Sequence, residues 1–471
     1  MRKLDSENYR SLETRATYLL LSIVTLAGIV LRLYHINYQS LWYDELHSII
    51  PTDPVNSVSS IIEYSKSDQP PFFFIYLHYF FHLFGYNEVT GRMACALLGV
   101  AAIPVMYLLG KEIEGRSVGL FAALLTSLNY MHIYYSQEVR FYSMAFLLTA
   151  LSFYFLLRAF KGGRLIDFVL YTLFTTALLY THYYGLVIYG VQVIAFLVLL
   201  IYRRDKKFLI GSIVSGILIL VLFIPWLPVI LSDLEISIFW IKEPSPFFVA
   251  EYFYYYFGKD ALVSGLFILL LILFFKFQLG RSKLQGDQSA VNMTLMVWLI
   301  FSYLIPYVKS VVGPPMLHVR YTIVSLPVWF LIFSSGWGHI KNLKLKYAIV
   351  VVVSLSMLLN LIFIRKHYVK IDKQQFREVS SLVKTRNEGR LPIYSAFPWH
   401  FNFYFRDYLV KTRELKLTNL VQVDDFWLLH VEFFSANEKA DIINSLEGNF
   451  EIIERYPFHK TEALLMKRVK K

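Results

Sequence analysis

Residues 17–34 read TYLLLSIVTLAGIVLRLY, and shortly after them comes Leu41-Trp42-Tyr43-Asp44-Glu45. An apolar run of this kind has about the ~20-residue length a helix needs to cross the hydrocarbon core of a bilayer. The two adjacent carboxylates then stand where bilayer gives way to water, a costly place for charge that is seldom filled without a use. Arg2, Lys3, Arg10 and Arg15 precede the run, and no small-residue cleavage site follows it. It therefore reads as an uncleaved anchor whose N-terminal side is cytoplasmic.

The pattern recurs. Further apolar runs lie at 92–110, 116–134, 141–160, 164–181, 183–202, 208–231, 261–279, 291–309, 320–338 and 345–364, in a chain of 471 residues that is 56% hydrophobic. With a mean hydropathy of +0.49, the expected fold is a polytopic α-helical membrane protein, because only helices or closed barrels satisfy the backbone in lipid. Basic connections at Lys111–Arg116, Lys161–Arg164, Arg203–Lys207, Arg281–Lys283 and Lys341–Lys346 mark the cytoplasmic side and account for much of the +12 net charge. That charge speaks for membrane orientation and anionic lipid heads, not nucleic acid. The single cysteine, Cys95, excludes an intrachain disulfide and a cysteine metal cluster.

Phe72–Gly85 is short for a span and carries Tyr76, His78, Tyr79 and His82 at helical spacing, which fits an amphipathic helix in the interface. Counting it as a span would move every later basic loop outside, so it belongs to the first external loop. Eleven spans result, with the N-terminus inside and the C-terminus outside. The expected domains are a transmembrane module over 1–364, with 35–91 as its first external loop, and a small external α/β domain over 365–471. Within the latter, strands are expected at Leu391–Ala396, Trp427–Phe433, Phe450–Tyr456 and Ala463–Val469, and helices near Gln374–Thr385 and Glu438–Leu446.

This topology gathers Asp44-Glu45, Gln69-Pro70-Pro71, Ser136-Gln137-Glu138-Val139-Arg140, Thr181-His182 and His318-Val319-Arg320 on the external side. Asp44 and Glu45 are neighbours, so one faces a cavity while the other caps, pairs or orients. A half-buried carboxylate serves as a general base toward a hydroxyl; Asp44 reads equally well as the cap of the helix that follows. Glu138 suits sharing a divalent cation with Asp44, and Arg140 suits a phosphate; the plainer reading is a local ion pair or snorkelling. His182 suits a metal, a phosphate or a simple hydrogen bond. His318 and Arg320 suit a phosphate head or interfacial snorkelling. Arg32 reads first as snorkelling, and Gln69-Pro70-Pro71 as a helix start.

In this order the motifs resemble those of the polyprenyl-phosphate-dependent C-type (GT-C) glycosyltransferases, nearest to the protein O-mannosyltransferase and lipid A aminoarabinose transferase families. The carriers are Leu31-Arg32-Leu33, Leu41-Trp42-Tyr43-Asp44-Glu45, Gln69-Pro70-Pro71 in place of the common His-Pro-Pro, Tyr135 to Tyr142, Thr181-His182-Tyr183, and Arg320-Tyr321 leading into Leu326-Pro327. They span roughly the first 340 residues. The resemblance implies an inverting transfer from a lipid-phosphate sugar to an acceptor hydroxyl of a lipid, glycan or protein on the non-cytoplasmic face of the plasma membrane. It implies Asp44 as catalytic base, with Glu45 beside it, and Glu138 as the second acidic residue, which in relatives contacts a metal. The expected phosphate contacts are Gln69, Arg140, His318 and Arg320, and the expected ligands of a divalent cation (Mg, Mn or Zn) are Asp44, Glu138 and His182. The rivals are a flippase or transporter of lipid-linked sugars, an oligosaccharide transferase using a pyrophosphate-linked donor, and a structural or receptor protein. The absence of charge at mid-span and of an inverted hydropathy repeat argues against the transporter.

Overall fold

The computed structural model describes residues 2–233, 241–280, 286–432, 444, 446 and 448–469. These fall into two compact units. The first holds residues 1–34, 57–77 and 92–367, and the second holds 35–56, 78–91 and 368–471.

The first unit is helical. Among the described residues, eight helices are long and apolar enough to cross a membrane, and a ninth span results if the bent pair Phe248–Tyr256 and Ala261–Phe277 counts as one. The remaining two of the eleven expected runs are shorter helices, Arg116–Leu128 and Leu165–Leu179. Arg116–Leu128 stops because Asn129 leaves the helical conformation and its side chain accepts the His132 N–H at 2.9 Å, opening a new short helix, Tyr130–Ser136. The bent pair turns at Gly258, whose φ of +73° suits glycine and where a Cβ would lie 1.9 Å from Asn360 Oδ1. The connection Arg281–Lys283 lies outside the described residues.

Arg32 corrects a sequence expectation. It does not snorkel: it is fully buried, donating to the Thr126 and Ser127 carbonyls at 2.8 and 3.1 Å and bonding His132 Nδ1 at 2.7 Å. Those carbonyls close the helix Arg116–Leu128, where a cation complements the negative end of the helix dipole.

The helix Phe72–Phe84 forms as expected and leaves Phe72, Tyr79, Leu83 and Phe84 exposed, the apolar face of an interfacial helix. Its residues from His78 onward fall in the second unit.

The second unit is built on a five-stranded sheet. Its strands are β1 (Ile393–Ser395), β2 (Thr412–Glu414), β3 (Asp425–Val431), β4 (Phe450–Phe458) and β5 (Thr461–Arg468), in the order β2-β1-β3-β5-β4. β1 pairs in parallel with β2 and β3, while β5 runs antiparallel to β3 and β4. Tyr394, Phe426, Leu428, Phe450, Leu464 and Met466 form its core. The helix expected near Gln374–Thr385 is Phe376–Arg386. Phe433 and most of the expected helix Glu438–Leu446 lie outside the described residues. The three-residue strand β2 and the helix Pro398–Tyr404 were not legible beforehand.

Candidate active site

In the first unit, three short connections meet. The turn 137–141 carries Glu138 and Arg140. Arg140 is buried, and its guanidinium forks onto Asp68 at 3.2 and 3.5 Å while lying 4.7 Å over the Phe141 ring. Asp68 opens the Gln69-Pro70-Pro71 segment, which is also tied to the next connection by the Phe72 N–H donating to the Tyr180 carbonyl at 2.9 Å. Sequence reasoning named Arg140 and missed Asp68, although it directly precedes the motif.

His182 sits in the turn between the helices Leu165–Leu179 and Tyr184–Tyr202. This turn is tight because Gly185 lets the two backbones close up: a Cβ there would come within 2.7 Å of the Leu178 carbonyl oxygen. The His182 ring is buried between Phe141 and Tyr321, at centroid distances of 4.5 and 4.8 Å. Its Nδ1 accepts the Tyr184 N–H at 3.0 Å, so the neutral ring carries its proton on Nε2. Burial, and then the Arg140 charge, push its pKa down to about 3.

The third connection, 313–320, brings His318 and Arg320. The His318 ring lies 5.7 Å from Tyr321, and burial, followed by the Arg320 charge, lowers its pKa to about 4. Tyr184 and Tyr252 hold this loop by donating their hydroxyls to the Met316 and Leu317 carbonyls at 2.9 and 3.2 Å. Glu138 and Arg320 both act electrostatically on buried Tyr135, whose pKa is raised by burial first, then by Tyr255, Tyr142 and Glu138, with Arg320 opposing. The structure thus brings Glu138, Arg140, His182, His318 and Arg320 into one cluster joined by aromatic rings. With both histidines neutral, its positive charge rests on the two arginines. Tyr321 and Tyr135 are central members that lay within the quoted motifs but were given no role there.

Near this loop an apolar groove of about 360 Å³ opens, lined among others by Phe248, Leu299, Tyr303, Tyr307 and Trp329. Its Tyr303 hydroxyl bonds Tyr256, which in turn bonds Thr322 Oγ1 at 2.5 Å, two residues beyond Arg320.

Asp44 and Glu45 belong to the second unit, on the helix Tyr43–Ile49. Asp44 is half-buried in the first turn. Glu45, the next residue, has no exposure: its Oε2 accepts from Lys373 Nζ at 2.9 Å and from the Trp42 N–H at 3.3 Å, the N3 half of a capping box. Of the adjacent carboxylates, Glu45 is therefore the one that caps and pairs. Gln39 accepts the N–H groups of Asp372 and Lys373 at 2.8 and 3.0 Å, and Gln374 accepts that of Tyr43 at 3.1 Å. His400, stacked on Tyr43 at 4.4 Å, has its pKa lowered to about 3 by burial and then by His47.

A divalent cation finds little to hold it. Among the described residues no three His, Cys, Asp or Glu side chains converge as a ligand set. His182 offers no bare nitrogen while Nδ1 accepts the Tyr184 N–H. The donors present do not by themselves make a cation site.

The sequence profile of the dolichyl-phosphate-mannose-protein mannosyltransferase family matches residues 68–228, the stretch carrying Gln69, Glu138, Arg140 and His182. No curated protein matches the chain in sequence. Among solved structures it is similar to ArnT from Cupriavidus metallidurans in the apo state, with 12% identity, a TM-score of 0.65, and coverage of 96% of this chain and 98% of that one. ArnT bound to undecaprenyl phosphate gives 12% identity and a TM-score of 0.64 over 96% and 98%. The oligosaccharyltransferase AglB from Archaeoglobus fulgidus, in complex with an inhibitory peptide and a dolichol-phosphate, gives 10% and 0.61 over 96% of this chain and 74% of that one. An Archaeoglobus fulgidus oligosaccharyltransferase in complex with Zn and sulfate gives 10% and 0.55 over 94% and 72%. The chain thus has the fold of ArnT and AglB, with helices apolar and long enough to cross a membrane many times, as the ordered motifs led one to expect.

Proposed function

We propose that this chain is an integral membrane glycosyltransferase that moves a sugar from a polyprenyl-phosphate donor to an acceptor hydroxyl on the non-cytoplasmic face, with its N-terminus in the cytoplasm and its C-terminus outside. The observation that carries this reading is the Arg140–Arg320 cluster with its two neutral histidines. Two guanidiniums in a half-desolvated, ring-lined site suit a phosphate that gains charge as it departs. The neutral His182 adds an Nε2–H donor and no charge, and Gln69 adds an amide. The neighbouring apolar groove suits the first part of a prenyl tail.

In the reaction, the acceptor oxygen attacks the sugar's C1 while the Asp44 carboxylate takes its proton. The bond from C1 to the phosphate oxygen breaks, and the electron pair leaves with the lipid phosphate, which Arg140 and Arg320 neutralise. A single displacement with one base inverts C1. Glu138 orients the arginine cluster.

The test is release of free polyprenyl phosphate from a panel of lipid-linked sugars by purified protein, with membrane extract as acceptor and Asp44→Asn alongside. Release by the unaltered protein only supports the transferase, and the responding lipid names the sugar. Movement of intact lipid-linked sugar across vesicles with no release from any donor would replace this reading with a flippase.

A further inference from the structure

The helix Phe72–Phe84 carries His78 and His82 one turn apart, and neither takes part in the chemistry proposed above. Their Nε2 atoms lie 3.1 Å apart. His78 is buried and its Nδ1 meets the Thr52 carbonyl at 3.4 Å, whereas His82 is exposed. A carbonyl accepts only, so Nδ1 of His78 carries the proton and its Nε2 presents a bare lone pair toward His82. Backbone carbonyls fix metal-binding histidines in this same tautomer.

We propose that His78 and His82 form a two-histidine clamp for a borderline divalent transition metal such as Zn²⁺, Ni²⁺ or Cu²⁺, with water completing the coordination. Two histidines at i and i+4 on one helix face are a known metal-ligand spacing. The distance fits: two nitrogens each about 2.1 Å from one metal are about 3.0 Å apart at a right angle and about 3.4 Å apart at the tetrahedral angle. On metal entry the proton on His82 Nε2 moves to its Nδ1, which frees both Nε2 lone pairs for the ion and leaves the His78–Thr52 bond intact. All three residues lie in the second unit, so the bound ion bridges one turn of the helix and holds His78 in the orientation that bonds Thr52. The clamp is separate from any ion at the sugar-transfer site and does not depend on that assignment.

The test uses the full-length protein with a histidine-free affinity tag, stripped with EDTA and titrated separately with ZnCl₂, NiCl₂ and CuCl₂. His82→Gln is the main variant, since the side chain is exposed and its loss leaves packing untouched; His78→Gln is the second. The unaltered protein is expected to bind one equivalent more than His82→Gln, and to show a metal-dependent rise of several degrees in its melting midpoint that the variant lacks. EDTA is expected to reverse the rise. Affinity is expected to be higher for Cu²⁺ than for Ni²⁺ or Zn²⁺. Equal stoichiometry and equal midpoints in the two proteins would overturn the clamp. So would a difference that follows pH alone, the mark of a shared proton without a metal.

Discussion

Glu45 and Arg140 are both buried charges beside the motifs that drew attention to this chain, and the fold uses them differently. Glu45 is closed off: Lys373 and the Trp42 N–H take its carboxylate, and its exposure is nil. Arg140 is also paired, with Asp68, yet its charge reaches His182 and it stands within a cluster holding a second arginine and two neutral histidines. A buried charge fully used within the protein is scaffold. Arg140 instead stands among several charged side chains, Asp68, Glu138 and Arg320, at the connections the motifs mark, and such a concentration of charged groups beside perturbed histidines is a candidate site.

This contrast can be broken most sharply at the adjacent carboxylates. Asp44→Asn is expected to cut transfer by about 10²–10⁴-fold, the usual worth of a general base, measured as polyprenyl phosphate release with expression matched. Glu45→Ala is expected to act on stability instead. Stranding Lys373 costs about 3–5 kcal/mol, and replacing both residues by apolar ones of similar volume recovers most of it; thermal melting of the single and double variants checks this. Transfer per folded molecule of a Glu45 variant that still folds is expected to stay within about tenfold. A larger loss would move Glu45 into the chemistry.

On the other side, Arg320→Gln is expected to lower kcat/KM for the lipid donor by about 10–100-fold, from one lost charge-assisted contact of about 1.5–3 kcal/mol, while leaving the melting midpoint nearly unchanged. Acid acts on folding instead of on transfer. His182, His318 and His400 have pKa values of about 3, 4 and 3 in the folded chain, against about 6.5 when unfolded. Between these values the unfolded chain binds more protons, so stability is complete above pH ~6.5 and falls as the pH drops toward the folded values. At pH 5 the loss is about 2 kcal/mol for a fully buried histidine. Replacing His182 by Phe should flatten melting midpoint against pH across that window.

Hydropathy made the architecture legible, because span length follows directly from bilayer thickness. It mis-sized the runs at 116–134 and 164–181, where Asn129 and the Thr181-His182 turn end helices inside apolar stretches. The candidate cluster was legible as a set of residue types that loop charge assigns to one side of a membrane. Its wiring was not. Arg32 looked like a snorkelling span end because nothing local reveals that the Thr126 and Ser127 carbonyls await it. The partner of Glu45 lies 328 residues further along the chain, a separation at which no periodicity or motif links two residues. The tautomer of His182, which bears on its reading as a ligand, depends on a single backbone N–H.

The Glu45–Lys373 bond also dictates an order of assembly. Chains emerge N-terminus first, so the helix Tyr43–Ile49 is synthesised long before the lysine that neutralises its buried carboxylate. Until residue 373 arrives, Glu45 must stay hydrated and the helix cannot settle as seen here. A nascent chain stalled or cleaved before that point would hold its early apolar spans and still lack the partner of Glu45.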